Sequence, residues 1–315
     1  MSVHAYFGGK SGKAFIELIN SNIPKDGIET YMEPFSGSMG TYMEDDNLNF
    51  KNVIYNDKNK HQVNLFKCCS DPENFLIALK ELKNGLLFTS ETDSIKKWNF
   101  YKSIYHEYTK NDFLDNMNFE IGDFKRAAIY AFLITSSFSS VYPRGGGFSG
   151  YKKNNDKLKL EVLINKLIKN TFTKKLKSIT EFYNIDFEEL IKKYDSDKTF
   201  MYLDPPYYKY DEKTGEDNAK RLFWYGSDSD GVFGPASHRR LLEILKKTKS
   251  RWSLSYYYFP LLEELLPKNK YFWLEKEVNR SSANGGNNFE SKGSQSKGVE
   301  LLIMNYDPKT GMKII

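Results

Sequence analysis

Between Ile28 and Asp57 the chain reads as a β-strand, a glycine turn, a helix and a second strand ending in an acid. The first strand, Ile28 to Phe35, is rich in β-formers and stops at Ser36-Gly37-Ser38-Met39-Gly40, where the chain turns into a helix. The second runs from Asn52 to Asn56 and ends at Asp57, twenty residues after Gly37. This order opens a parallel α/β sheet, because parallel neighbours need a crossover between them. A glycine at the turn lets a ligand approach the backbone and meet the helix amino terminus. An acid at the end of the next strand can accept from both hydroxyls of a ribose.

Beyond residue 70 the pattern changes. From about Asp71 to Phe172 the chain is lysine- and aromatic-rich and mostly helical in period, with Phe124 to Ile134 its most apolar helix. A turn cluster from Ser136 to Gly150, containing Pro143-Arg144-Gly145-Gly146-Gly147, predicts a hairpin or mobile loop. After about Lys174 the α/β order resumes with a strand at Thr199 to Leu203, a helix at His238 to Leu245 and a strand at Trp252 to Tyr256. Phe272 to Val278 and Val299 to Asn305 form a terminal hairpin. The expected fold is therefore α/β: a Rossmann-like sheet built from residues 1–70 and 173–315, interrupted by a mostly helical insert at 71–172 that contains a β-hairpin.

Composition removes several classes. The longest apolar run, Ala127 to Ile134, is far too short to span a bilayer. Met1 to Lys10 lacks a charged-then-apolar secretory pattern. Cys68 and Cys69 are adjacent, which suits neither a disulfide scaffold nor a metal site and predicts a reduced, cytoplasmic protein. His4, His61, His106 and His238 share no metal-ligand spacing, so no metal is expected. A formal charge of +5 permits a polyanionic partner without requiring one. The 16% aromatic content suits base stacking, but abundant Lys, Asn and Ile beside it also fit an AT-rich genome.

Asp204-Pro205-Pro206-Tyr207 carries the chemistry. Two prolines directly after a strand fix φ and cannot donate to a ladder, so the chain leaves the sheet stiffly at its carboxyl end, where such folds bind ligands. A carboxylate, a carbonyl and an aromatic ring are then held on one corner. That set suits an exocyclic amino group of a base, whose delocalised lone pair makes it a poor nucleophile. The Asp204 carboxylate and the Pro205 carbonyl can each accept one of its hydrogens and stabilise the charge that grows as a methyl arrives. Tyr207 can stack on a base turned out of its helix. The same tetrapeptide is also compatible with a plain strand-ending turn.

In order along the chain come Tyr6-Phe7-Gly8-Gly9-Lys10, Glu33-Pro34-Phe35-Ser36-Gly37, Asn56-Asp57-Lys58-Asn59, Asp204-Pro205-Pro206-Tyr207 and Asn279 to Gly286. This series resembles the DNA adenine N6-methyltransferases of the Dam type over nearly the whole chain. The resemblance implies S-adenosylmethionine as cofactor, bound by Tyr6, Lys10, Pro34, Phe35, Gly37 and Asp57, with Asp186 facing its adenine or capping a helix. It implies catalysis by Asp204, Pro205, Pro206 and Tyr207 on an adenine of double-stranded DNA. The insert becomes the target-recognition domain, with Phe138 and Arg144 on DNA and Asn284 in a loop that orders over it. The chain departs from such relatives at Met39, where a second glycine is common. It also departs at Ser139 and at Pro143 or Arg144, where GATC-methylating relatives carry an Asn and a base-reading Arg, so a different target sequence is implied. Asp-Pro-Pro-Tyr suits any exocyclic amine, which leaves cytosine N4 or an RNA base as alternatives, and a catalytically silent DNA-binding regulator as another.

Overall fold

The computed structural model describes residues 13–24, 26–86, 90–110, 123–137, 148, 159–208, 233–280 and 296–314. Its strands are β1 (Thr30–Glu33), β2 (Asn52–Asn56), β3 (Glu181–Tyr183), β4 (Thr199–Leu203), β5 (Arg251–Tyr256), β6 (Phe272–Arg280) and β7 (Ser296–Met304). They form a seven-stranded sheet in the order β3-β2-β1-β4-β5-β7-β6. The helices are α1 (Lys13–Ser21), α2 (Gly40–Met43), α3 (Lys60–Ser70), α4 (Pro72–Gly85), α5 (Glu91–Lys110), α6 (Phe124–Ser136), α7 (Lys159–Ile168), α8 (Asn170–Lys177), α9 (Phe187–Tyr194), α10 (Pro235–Leu245) and α11 (Pro260–Leu265). The mixed α/β architecture expected from the sequence is the one observed. Two compact units divide the chain: residues 1–9 with 37–185, and residues 10–36 with 186–315.

In the second unit, β4 is parallel to both β1 and β5, while β7 runs antiparallel to β5 and β6. Every residue of β1 and β4 is buried, which is why Thr-Phe-Met-Tyr-Leu reads as a continuous run instead of an alternation. Trp252, Leu254, Leu302 and Ile303 continue this core. Asp186 is the N-cap of α9, its Oδ1 accepting from the Glu188 N–H at 2.9 Å.

In the first unit, β2 and β3 are parallel, and Tyr55 stacks on Phe66 of α3 with centroids 4.5 Å apart. Helices α3 to α8 belong to this unit, and Ala127, Phe132 and Leu133 of α6 are fully buried. Ser137 and Phe148 meet in an antiparallel bridge at the two ends of the turn cluster. Lys175 of α8 is a buried residue, not a surface charge open to a phosphate. It is 7% exposed, its ammonium donates to the Asp45 and Leu48 carbonyls, and it lies over the Tyr42 ring. Burial lowers its pKa to about 8. His61 and His238 are core residues.

Met39 has φ 49° and is the sole non-glycine with positive φ among the described residues. A left-handed backbone costs a non-glycine residue about 1–3 kcal/mol. Met39 is fully buried, and burying such a side chain contributes roughly 1.5–3 kcal/mol, enough to offset the strain. Stability in urea should therefore fall in the order wild type, Met39→Gly, Met39→Ala. Glycine loses the burial but also the strain, whereas alanine loses the burial alone. An alanine variant more stable than the glycine variant contradicts this balance.

Candidate active site

Local sequence builds the turn at Gly37 and the acid at Asp57 together. Asn59 caps α3, accepting from the His61 and Gln62 amides, and Asp57 turns back on the Asn59 N–H with its Oδ1 at 2.7 Å. Asp57 Oδ2 accepts the Gly37 N–H at 2.9 Å. Gly37 has φ 49°, a conformation only glycine adopts without strain. Its carbonyl accepts from the Tyr55 hydroxyl at 2.7 Å and from Gln62 Nε2 at 2.9 Å. Gln62 Oε1 in turn accepts from the Tyr130 hydroxyl at 3.2 Å, which accepts from Asn59 Nδ2 at 3.1 Å. Burial pushes the Asp57 carboxyl up to about 6, against the pull of the Asn59 and Gly37 amides.

Gly37 and Asp57 are legible in the sequence, whereas Gln62 and Tyr130, which hold them, are not. No motif marks either residue; both are known only from contacts 25 and 68 positions apart in the chain. Gln62→Leu leaves a buried Tyr130 hydroxyl short of an acceptor and the Gly37 carbonyl short of a donor. It should lower unfolding free energy by about 1–3 kcal/mol, measured in urea, with Tyr130→Phe costing less. Equal stability of Gln62→Leu and wild type would show that this network holds nothing in place.

In the other unit, Phe35 lies half-buried with its ring 5.4 Å from both Phe187 and Phe233, beside the buried Pro34. Arg240 stacks on Phe187 at 4.6 Å and reaches Asp186 Oδ2 at 2.7 Å and Glu188 at 3.3 Å. Asp186 is therefore a helix cap whose second oxygen takes an exposed guanidinium.

Asp204 follows β4 directly, half-buried, with Pro205 buried behind it. Burial, with the Asp204 charge next, drives the Tyr202, Tyr207 and Tyr256 phenols well above 10, so all three stay protonated. Tyr207 stacks on Tyr256 with centroids 5.3 Å apart, meets Tyr257 edge-on at 4.9 Å, and donates its hydroxyl to Glu300 Oε1 at 2.5 Å. Tyr256 contacts the Pro206 carbonyl at 3.4 Å and His238 Nδ1 through the same hydroxyl. Tyr208 stacks on Phe259 at 4.7 Å. The corner is stiff for two reasons: two proline rings fix its backbone, and buried aromatic rings fix its side chains.

Tyr6, Lys10, Phe138, Arg144 and Asn284 lie outside the described residues. Among the described residues no group of His, Cys, Asp and Glu could hold a metal, and no helix is long and apolar enough to cross a membrane.

A seven-stranded α/β sheet whose parallel strands end in Asp57 and in Asp-Pro-Pro-Tyr has the architecture of an S-adenosylmethionine-dependent methyltransferase. The chain belongs to the D12 class N6 adenine-specific DNA methyltransferases, whose family model matches residues 6–281. It is also similar to the Type II methyltransferase M.MjaIII of Methanocaldococcus jannaschii, with 27% identity over 321 residues that cover 97% of this chain and 100% of the relative. The Dam-type resemblance read from the motifs is thus a family membership, and the enzyme class is that of an adenine-specific DNA methyltransferase.

Proposed function

We propose that this enzyme moves the methyl group of S-adenosylmethionine to N6 of an adenine turned out of duplex DNA. The observation that carries the reading is the Asp204-Pro205-Pro206-Tyr207 corner, with its acid next to three protonated phenols and its backbone held by Tyr256. Asp204 accepts a hydrogen of the amino group, with the Pro205 carbonyl as second acceptor. Both then stabilise the positive charge that develops on nitrogen, in a site where fixed acceptors need no reorganisation. The Tyr207 ring receives the base, and positioning supplies much of the remaining acceleration.

The cofactor residues fit their group. Each Asp57 oxygen already takes one backbone N–H and keeps a further lone pair, one for each ribose hydroxyl. Pro34 and Phe35, with the Phe187 and Phe233 rings, offer an apolar surface for an adenine. Asp186 serves its amino group, Gly37 the turn, and Tyr6 and Lys10 the amino-acid end. When bound, S-adenosylmethionine supplies a methyl group on a positively charged sulfur. Residues 1–70 and 173–315 form the catalytic domain and 71–172 the target-recognition domain. Phe138, Arg144 and Asn284 contact double-stranded DNA, and the departures at Ser139 and at Pro143 or Arg144 from GATC-methylating chains point to another target sequence. Two free, buried cysteines are in keeping with a cytoplasmic enzyme.

Incubation with methyl-labelled S-adenosylmethionine and duplexes labelled for adenine or cytosine tests the reading. Label in N6-methyladenine is expected. Label confined to cytosine would make it an N4 enzyme, and no label with either duplex would favour a silent DNA-binding protein.

A further inference from the structure

Glu300 belongs to none of the sequence motifs, yet it meets the catalytic corner. It lies on β7, is 5% exposed, and its Oε1 accepts the Tyr207 hydroxyl at 2.5 Å. The two residues are 93 positions apart, joined because β7 runs beside β5 and β5 beside β4. A buried carboxylate is costly unless hydrogen bonds satisfy it, so a glutamate at such a place needs its donors. A phenol donating to a carboxylate makes a short, charge-assisted bond with a defined direction. The Tyr207 ring has Tyr256 against one face and the edge of Tyr257 nearby, but neither contact fixes rotation within the stack. The hydroxyl does. Asp204 lies close enough to act on the same phenol.

We propose that Glu300 is a positioning residue: its carboxylate holds the Tyr207 hydroxyl, and so presents the Tyr207 ring to the target base in a single orientation. This rests on the methyltransfer reading above. Glu300 touches neither the base nor the cofactor in this role; it acts through Tyr207.

The test is a set of variants of the full chain assayed for methyl transfer to duplex DNA: E300A, E300Q, Y207F, E300A/Y207F and D204A. Losing a hydrogen bond to a charged group should lower kcat by about 10- to 100-fold in E300A and in Y207F, with the KM for S-adenosylmethionine unchanged. The double variant should be no slower than the worse single one, because both remove the same contact. E300Q keeps an acceptor and should stay within a few-fold of wild type, which a role for the charge alone would not allow. Y207F keeps the ring and the fold, so the proposal remains testable if E300A does not fold. Full activity in Y207F, multiplicative losses in the double variant, or E300Q as slow as E300A would overturn it. D204A separates the two levels. An inactive D204A beside a fully active E300A removes the role of Glu300 only; a fully active D204A removes the catalytic role of the corner and that of Glu300 with it, and a wild-type chain that transfers no methyl group removes the methyltransfer reading itself.

Discussion

Asp204→Ala should lower the rate of methyl transfer by about 100- to 1,000-fold or more, while its affinity for S-adenosylmethionine stays within a few-fold of wild type. The split follows from where the charge is needed. Asp204 stands at the end of β4 and acts on the amine, which becomes positive only as the new bond forms. Its contribution is therefore to the transition state, and kcat and kcat/KM fall together. Asp204→Asn keeps an acceptor but loses the charge, so it should lie between Ala and wild type. Because burial and Asp204 together hold the Tyr202, Tyr207 and Tyr256 phenols far above their ordinary range, no tyrosine can take over as a base near neutral pH. Single-turnover kinetics with equilibrium cofactor binding measures both halves; an unchanged transfer step in Asp204→Ala is incompatible with the proposed chemistry.

Asp57→Ala should act on the other side of the same split, weakening S-adenosylmethionine binding by about 100-fold or more with the loss of two charge-assisted hydrogen bonds. The pH dependence follows from the same carboxyl. With its pKa raised to about 6 by burial, Asp57 is an acceptor above pH 6 and becomes protonated below it. Cofactor affinity should then fall by roughly tenfold for each pH unit below that point. Asp57→Asn should flatten the curve. For stability the sign is opposite. The folded-state pKa lies above the ordinary carboxyl value of 3.8, so the folded form holds the proton between about pH 4 and 6 where the unfolded chain has lost it. The cofactor-free protein therefore loses stability from this group as pH rises through that window. The increase in Tm on adding S-adenosylmethionine should be larger at pH 7.5 than at 5.5. A pH-independent increase would place the ribose elsewhere.

Much of this fold is legible in the sequence, for physical reasons that differ by element. The strands at Asn52–Asn56 and Thr199–Leu203 have the bounds expected of them, because strands covered on both faces are uninterrupted apolar runs bounded by polar residues. The short β3 was not seen; three half-buried residues leave no period to read. The terminal hairpin was expected in β-rich sequence and is longer than expected, reaching Arg280 and beginning at Ser296. Asp186 could be read as a cap, since capping is local. Glu300, Gln62 and Tyr130 could not. Their partners lie far along the chain, and a glutamate on a β-strand or a tyrosine on an apolar helix gives no sign of a distant hydrogen bond. Nothing in the pair Lys174-Lys175 distinguishes one lysine from the other, and only its carbonyl partners show that Lys175 is a buried clamp.

The most direct measurement is a crystal structure with S-adenosylmethionine, or an unreactive analogue, and a DNA duplex carrying the target adenine. The account predicts the extruded adenine N6 within hydrogen-bonding distance of the Asp204 carboxylate, and the methyl position about 3–3.5 Å from that nitrogen. A sulfur turned away from Asp204, or a target base whose amino group is held by other residues, would contradict it.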